Sequence, residues 1–190
     1  MNIFSHFIEV VSNYISSGGY IVGFLIIVLE SFIPPLPLGF FVMLNCISFG
    51  LLKGYIISYT ANVSGSILAY FIWKKFKTFL YKRIPNKYKL KVDKLLLKFN
   101  KLSFSSLVLL ITLPFTPAFL INICAGISLK FKRYVCALVI GKIFNILFWS
   151  IIGNSLYESI HDIKSILFIL ISLLISYIIS KIVASKYEID

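Results

Sequence analysis

The chain has 190 residues and a formal net charge of +12, with 59% hydrophobic and only 14% charged residues. A soluble globule of this length does not need so many apolar side chains, so the composition excludes an ordinary water-soluble domain. The surface must face lipid, and the sequence predicts an all-α polytopic membrane protein.

The first predicted element is residues 1–17, which contain no Lys or Arg before their apolar side chains. The segment therefore lacks the charged start of a cleavable signal peptide and is expected to remain in the mature chain. We interpret it as an interfacial helix. Its single charge, Glu9, does not indicate on which side of the membrane the helix lies.

Residues 19–50 form an apolar run that prolines interrupt at its centre, in "LESFIPPLPLGF". Proline removes an amide donor and clashes with the preceding helical turn, so the run is expected to fold as two half-helices rather than one straight span. Pro34 and Pro37 mark the turn, and Asn45 follows in the second half. We interpret this segment as a re-entrant hairpin.

Residues 51–73 are a predicted transmembrane helix, and residues 74–102 are strongly basic. The basic segment holds 11 of the 19 Lys and Arg residues and one acid, Asp93. Such a local patch is typical of a cytoplasmic loop under the positive-inside rule, so nucleic acid is not the expected partner. Its apolar side chains lie on one helical stripe, which predicts an amphipathic helix lying flat on the membrane. Four of its lysines either attract phosphate headgroups or act only as a topology signal: Lys87, Lys91, Lys94 and Lys98.

Residues 103–128 repeat the earlier pattern, since Pro114 and Pro117 interrupt an apolar run and are followed by Asn122 and Gly126. The same reasoning predicts a second re-entrant hairpin. The proline turns of both hairpins should meet inside the protein, because irregular backbone at membrane depth is tolerated only where protein or water surrounds it.

Residues 134–157 and 165–184 are further predicted transmembrane helices, each long enough to cross a hydrocarbon core of about 30 Å. One crossing separates the two hairpins, so they would enter the membrane from opposite faces. We therefore predict two inverted repeats, each of a surface helix, a re-entrant hairpin and a transmembrane helix, followed by a C-terminal transmembrane helix.

Glu30 and Lys142 are the two charged residues that lie deep in apolar segments. A charge at the bilayer centre costs about 2.5–3.5 kcal/mol or more, so it normally faces a partner or water. We expect Glu30 to face a central cavity, with Lys142 as its counter-ion. The alternatives are that Glu30 only caps a broken helix and that the long stem of Lys142 reaches the cytoplasmic interface.

The proline motifs resemble those of the DedA-type membrane proteins, also called the SNARE-associated Golgi protein or VTT-domain family, and most closely its Tvp-like bacterial branch. The resemblance implies opposed re-entrant hairpins and a role in moving lipids between leaflets. It also implies that Glu30 is the acid of the first hairpin and that the prolines, Asn122 and Gly126 are turn positions. Two positions depart from the family pattern, because Gly39 stands where many relatives have a second acid and Ile111 where an arginine is expected.

The predicted function is translocation of polyprenyl phosphate or phospholipid, with membrane lipids as the partners and a bacterial plasma membrane as the location. A half-helix N-terminus offers free amides to an anion, which suits a lipid phosphate. The alternatives are a small-solute or ion transporter that uses the same cavity and a membrane organiser that transports nothing. No enzyme, cofactor or metal site is expected, because the sequence has no nucleophile motif and no metal-ligand spacing. Assembly into a homo-oligomer is left open.

Overall fold

The computed structural model describes residues 3–32 and 38–158, together with the isolated positions 174, 178 and 181. These residues form α-helices and no strands, so the all-α expectation is confirmed for them. In chain order the helices are α1 (Ile3–Glu30), α2 (Leu38–Phe49), α3 (Leu51–Arg83), α4 (Asn86–Lys101), α5 (Phe104–Thr112), α6 (Ala118–Ser128) and α7 (Phe131–Glu158).

Both proline-containing runs are broken, as predicted. In the first run, α1 bends at Gly19, whose φ is 67°, and ends at Glu30, and α2 then begins at Leu38. Pro34 and Pro37 lie outside the described residues. In the second run, α5 ends at Thr112 and α6 begins at Ala118, directly after Pro117. Each run therefore consists of two short helices rather than one straight span.

The helix α3 is longer than the predicted crossing of residues 51–73, since it continues to Arg83. Its 33 residues span about 50 Å, which exceeds the thickness of a hydrocarbon core. The helix passes from an apolar part, suited to lipid, to a basic part, suited to water and headgroups. This change does not end the helix, because Lys and Leu are both good helix formers. The helix stops only before Pro85. The predicted crossing at residues 165–184 lies outside the described residues, apart from three isolated positions.

Within the described residues, two helices are long and apolar enough to cross a membrane, α3 and the part of α7 from Phe131 to Gly153. A third candidate is the pair of α4 and α5, which is bent by 109°. Three shorter apolar helices, Ser17–Glu30, Leu38–Phe49 and Ala118–Ser128, have between 10 and 17 residues. A straight crossing needs about 20 residues, so each of these three is too short to cross alone.

The two long helices pack against each other in opposite directions. The hydroxyl of Tyr55 on α3 donates to the carbonyl oxygen of Ile143 on α7 at 3.3 Å, and the hydroxyl of Tyr59 donates to that of Val139 at 3.1 Å. Residue numbers thus rise along α3 as they fall along α7. This antiparallel pair is the centre on which the shorter helices pack.

Each short helix of the two broken runs packs on at least one of the two long helices. The helices α1 and α2 pack on α3, α5 packs on α7, and α6 packs on α3 and α4. The helix α2 also packs on α7, so the first broken run contacts the long helix that follows the second run. The two halves of the chain therefore pack directly against each other.

The apolar stripe of α4 contacts the protein at its C-terminal end. Phe99 is buried, and Leu95 and Leu96 pack against the core beneath α4. Toward the N-terminal end, Tyr88 is exposed. The C-terminal half of the stripe therefore packs α4 on the rest of the protein and does not contact lipid.

Candidate functional site

The charged residues that the sequence places inside the membrane are both buried in the structure. Glu30, the last residue of α1, is 7% exposed, and Lys142, in the middle of α7, is 4% exposed. Their opposite charges act on each other, although no direct ion pair joins them among the described residues. Glu30 and Lys142 belong to different halves of the chain, so the charged centre depends on the packing of the two halves.

Asn62 of α3 holds the carboxylate of Glu30. Its amide nitrogen Nδ2 donates to Glu30 Oε2 at 3.2 Å, and its side chain is fully buried. The amide oxygen Oδ1 of Asn62 has no hydrogen-bond partner within the described part of the chain. A buried amide with an unused acceptor is costly, which is typical of a place where a water, a proton donor or a ligand binds.

Asn122 of α6 ties the second broken run to the first. Its Nδ2 donates to the backbone carbonyl of Ser31, the residue after Glu30, at 3.3 Å. Its Oδ1 accepts a hydrogen bond from the hydroxyl of Tyr134 on α7 at 2.7 Å. Asn122 therefore fixes the chain beside Glu30 relative to α6 and α7.

Asn145 lies three residues after Lys142, on the same side of α7. Its Nδ2 donates to the carbonyl oxygens of Thr112 and Leu113, each at 3.2 Å, at the end of α5. The last carbonyls of a helix have no partner within the helix, so Asn145 satisfies groups that the break exposes. The broken run is thus held at its turn by a side chain of the long helix.

A small cavity lies beside Lys142 and the turn between α5 and α6. Its volume is about 10 Å³, close to the minimum of about 10–15 Å³ that a single water molecule needs. Thr116 and Asn122 contribute polar atoms, and Ala118 places the first turn of α6 at the same cavity. Three apolar side chains complete its wall: Ile111, Ile121 and Leu138.

The structure brings together only part of the predicted pathway. Glu30, Asn122 and Lys142 surround one buried region, and Pro117 directly precedes α6 at the cavity. Pro114 lies in the same turn. Pro34 and Pro37 cannot be placed, since they fall in the undescribed gap between α1 and α2.

Asn45 and Gly126 have packing contacts elsewhere. The amide of Asn45 donates to the carbonyl of Gly23 at 3.2 Å and to the hydroxyl of Ser58 at 3.0 Å, about one turn of α3 away from Asn62. A Cβ at Gly126 would lie 2.7 Å from the carbonyl oxygen of Tyr70, so this glycine allows α6 to approach the backbone of α3. Their role in the pathway stays a prediction.

The predicted headgroup-attracting lysines lie on the outer surface of α4, and their side chains are exposed. Lys87 lies over the ring of Tyr88, 4.9 Å from its centre. Other basic residues of this region have structural partners. Lys77 donates to the carbonyl of Ile127 at 3.2 Å, and Arg133 donates to the carbonyls of Asn100 and Leu102 at the end of α4.

Sequence reasoning missed three members of the buried centre: Asn62, Tyr134 and Asn145. Asn62 stands among the small residues of "SYTANVSGS", which are typical of a close helix contact and do not single out the amide. An amide inside a crossing costs free energy unless it is paired, and that cost could have singled out both asparagines. No sequence signal identifies Tyr134, whose partner lies on another helix.

Comparison with known proteins shows the family of the chain. The family described as VTT domain matches residues 33–155, which include the helices from α2 to α6 and most of α7. The chain belongs to the VTT-domain family. The resemblance drawn from the proline motifs is therefore confirmed, and the chain is a membrane protein of that family.

Two relatives of this VTT-domain chain come from Bacillus subtilis (strain 168). The uncharacterized membrane protein YhjE is 31% identical over 182 residues, which cover 93% of this chain and 86% of YhjE. The uncharacterized protein YqeD is 29% identical over 137 residues, which cover 68% of this chain and 62% of YqeD. None of the solved structures matches the chain.

The two departures from the VTT family pattern have structural counterparts. A Cβ at Gly39 would lie 2.3 Å from the ring of Trp149, so the indole occupies the space that a side chain at this position would need. Ile111 and Lys142 line the same small cavity. A positive charge is therefore present beside position 111, although it comes from α7 rather than from α5.

Proposed function

We propose that this VTT-domain protein moves lipids with a phosphate headgroup, polyprenyl phosphate or phospholipid, between the leaflets of a membrane. The proposal rests above all on one observation, the burial of Glu30 and Lys142 at a point where both halves of the chain meet. Intramembrane charges are costly and usually mark the pathway of a substrate or an ion.

We also propose that the two halves are inverted repeats with re-entrant hairpins. Three features support this arrangement. When α1 is divided at its bend at Gly19, each half has a helix, a broken pair of short helices and a long helix in the same order. The long helices α3 and α7 are antiparallel. Three apolar helices of the broken runs are too short to cross alone: Ser17–Glu30, Leu38–Phe49 and Ala118–Ser128. Transporters of this plan bind their substrates where the repeats meet.

The two buried charges have different roles in this proposal. Lys142 attracts the phosphate, which is the charged part of the lipid and the part that lipid tails cannot solvate. Glu30 holds Lys142 in place by their mutual attraction when no phosphate is present. Asn62 and Asn122 keep the carboxylate and the adjacent turn in a fixed position, so the attraction acts at one place.

The basic surface of α4 would gather lipid headgroups at the cytoplasmic face of a bacterial plasma membrane. Each Lys near an anionic leaflet contributes about 1 kcal/mol to attraction. The side chains of Lys87, Lys91 and Lys94 are exposed, as this role requires. We propose transport rather than catalysis, because a buried cation beside a carboxylate and amides is suited to binding an anion.

A transporter of small anions is the second candidate, and the size of the cavity favours it. At about 10 Å³, the space beside Lys142 has room for a water-sized group and not for a whole headgroup. A lipid transporter would need the second broken run to move away from α7. An ion transporter would need a smaller movement.

The test is transport by the full chain reconstituted in liposomes. Fluorescent polyprenyl phosphate, a fluorescent phospholipid and a small anion would be followed in separate samples. We expect the wild type to move a lipid with a phosphate headgroup and Glu30→Gln to lose most of that activity. The matched control is Asp93→Asn, which makes the same change in an acid on α4 and should keep full activity.

Three results would contradict the proposal that lipids move by way of the buried centre. Movement of the small anion without movement of any lipid would favour the second candidate. Full lipid transport by Glu30→Gln would remove the role of the buried centre. No transport of any labelled compound by a folded wild type would favour a membrane organiser. The double variant Glu30→Gln/Lys142→Met, which leaves no buried charge unpaired, serves as a second inactive protein if Glu30→Gln folds poorly.

A further inference from the structure

We infer that the cavity between Lys142 and the start of α6 is a binding site for one anionic oxygen of a phosphate group. The inference deepens the proposed function and rests on it, since it names the place where the headgroup is held. The same chemistry is found in a lipid headgroup and in free phosphate.

Lys142 is the first part of this site. Its side chain is 4% exposed and lines the cavity, and its ammonium group donates no hydrogen bond within residues 3–32 and 38–158. An ammonium has three donors, and leaving them unused in a buried place is costly. The attraction of Glu30 compensates the charge but does not supply an acceptor at hydrogen-bond distance.

The N-terminus of α6 is the second part. This helix begins at Ala118, and Pro117 before it provides no side-chain cap. The amide of Leu120 donates to the carbonyl oxygen of Pro117 at 3.1 Å, so the amides of Ala118 and Phe119 remain for a ligand. Ala118 lines the same cavity as Lys142. Free amides and the helix dipole both favour a negative charge at such a position. A buried cation and an uncapped helix start therefore face one space.

Thr116 and Asn122 define the polar rim of the cavity. Thr116 contributes a hydroxyl, and the amide of Asn122 is fixed by its bonds to Ser31 and Tyr134. The volume of about 10 Å³ admits one oxygen atom rather than a whole phosphate. The rest of the headgroup would thus remain outside the cavity, toward the turn between α5 and α6.

The experiment measures binding to the purified full chain in maltoside detergent micelles, because phospholipid nanodiscs would themselves supply the phosphate group that the site recognises. The probes are inorganic phosphate, a phosphatidic acid and a neutral diacylglycerol with the same tails. We expect phosphatidic acid to bind and diacylglycerol to bind at least tenfold more weakly. The substitution Lys142→Met should lower the affinity for phosphatidic acid about tenfold to hundredfold, because it removes a charged hydrogen bond.

The control variants separate the site from general charge effects. Lys142→Arg should keep most of the affinity, and Lys130→Met, which removes an exposed cation at the start of α7, should keep all of it. Thr116→Val removes one hydroxyl with almost no change of volume and should weaken binding a few fold. If inorganic phosphate binds as tightly as phosphatidic acid, the site recognises the free anion; if it binds much more weakly, the site recognises the lipid headgroup.

A folding defect in Lys142→Met would not hide the answer. Glu30→Gln and Glu30→Gln/Lys142→Met differ only in the cation, and the site predicts tighter phosphate binding by the first. Equal affinity in this pair, or wild-type affinity in a folded Lys142→Met, would overturn the inference. Lipid transport that persists alongside such a result would leave the proposed function intact, whereas specific binding without transport would contradict the function and keep the site.

Discussion

Lysine side chains occupy two contrasting places in this protein. Lys142 is buried in the middle of α7, whereas Lys91 and Lys94 on α4 are exposed. Water and salt screen an exposed charge, so its neighbours matter little, but the free energy of a buried charge depends on its partner. The net charge of +12 therefore describes mainly the surface. Lys142 adds little to that total, but we expect it to matter more for function than any one exposed lysine of α4.

The largest expected effect is on the buried pair. Glu30→Gln should lower the free energy of unfolding by about 3–5 kcal/mol, because it leaves Lys142 buried without an opposite charge. The measurement is chemical unfolding of the purified protein in detergent. Asp93 is half-buried and accepts a hydrogen bond from the hydroxyl of Tyr81 at 2.8 Å. Asp93→Asn keeps an acceptor there and leaves no buried charge unpaired, so it should lower the free energy of unfolding by no more than about 1 kcal/mol. Equal effects of the two substitutions would remove the distinction between buried and surface charges.

Asn122→Ala should have the next largest effect. It removes the hydrogen bond to the carbonyl of Ser31 and leaves the hydroxyl of Tyr134 without its acceptor, which should cost about 2–3 kcal/mol. Asn100→Ala on the exposed face of α4 is the control and should have no measurable effect. Thermal unfolding in detergent would compare them, and a wild-type midpoint for Asn122→Ala would contradict the role given to this amide.

Gly39→Ala should cost about 1–2 kcal/mol, since the new methyl group would collide with Trp149. Trp149→Ala removes the ring, so the double variant Gly39→Ala/Trp149→Ala should be no less stable than Trp149→Ala alone. Unfolding curves of the three variants test this coupling. If the two effects simply add, the indole does not fill the space at position 39.

The smallest effect concerns the surface of α4. Replacing four lysines with Gln (Lys87, Lys91, Lys94 and Lys98) should lower the free energy of unfolding by no more than about 1 kcal/mol. It should reduce transport of an anionic lipid by no more than a few fold. The reduction should disappear at high ionic strength, because salt shortens the Debye length from about 10 Å at 0.1 M to about 3 Å at 1 M. A loss that salt does not alter would show that these lysines act through direct contacts.

The sequence predicted the breaks in the fold better than the lengths of its helices. The prolines predicted the break before Ala118, since the effect of proline on a helix is local. The predicted crossing ended at residue 73, whereas α3 continues to Arg83. Hydropathy indicates where the lipid-facing part of a helix ends, which need not be the end of the helix. The outcome for Pro34 and Pro37 stays a prediction, as does that for residues 165–184.

The candidate site was predicted in its charges but not in its amides. Glu30 and Lys142 stand out because a charge in an apolar segment is rare and costly. Asn62 and Asn145 are visible as amides in the sequence, but their partners are a carboxylate on α1 and the carbonyls that end α5. Such partners come together only through tertiary packing, which one sequence does not reveal.

The central claim is that the two halves of the chain bring Glu30 and Lys142 together as one interacting pair inside the protein. A double-mutant cycle of Glu30→Gln and Lys142→Met, measured by chemical unfolding, tests it most directly. The claim predicts that the double variant is more stable than either single variant, because it contains no unpaired buried charge. Losses of stability that simply add in the double variant would contradict it.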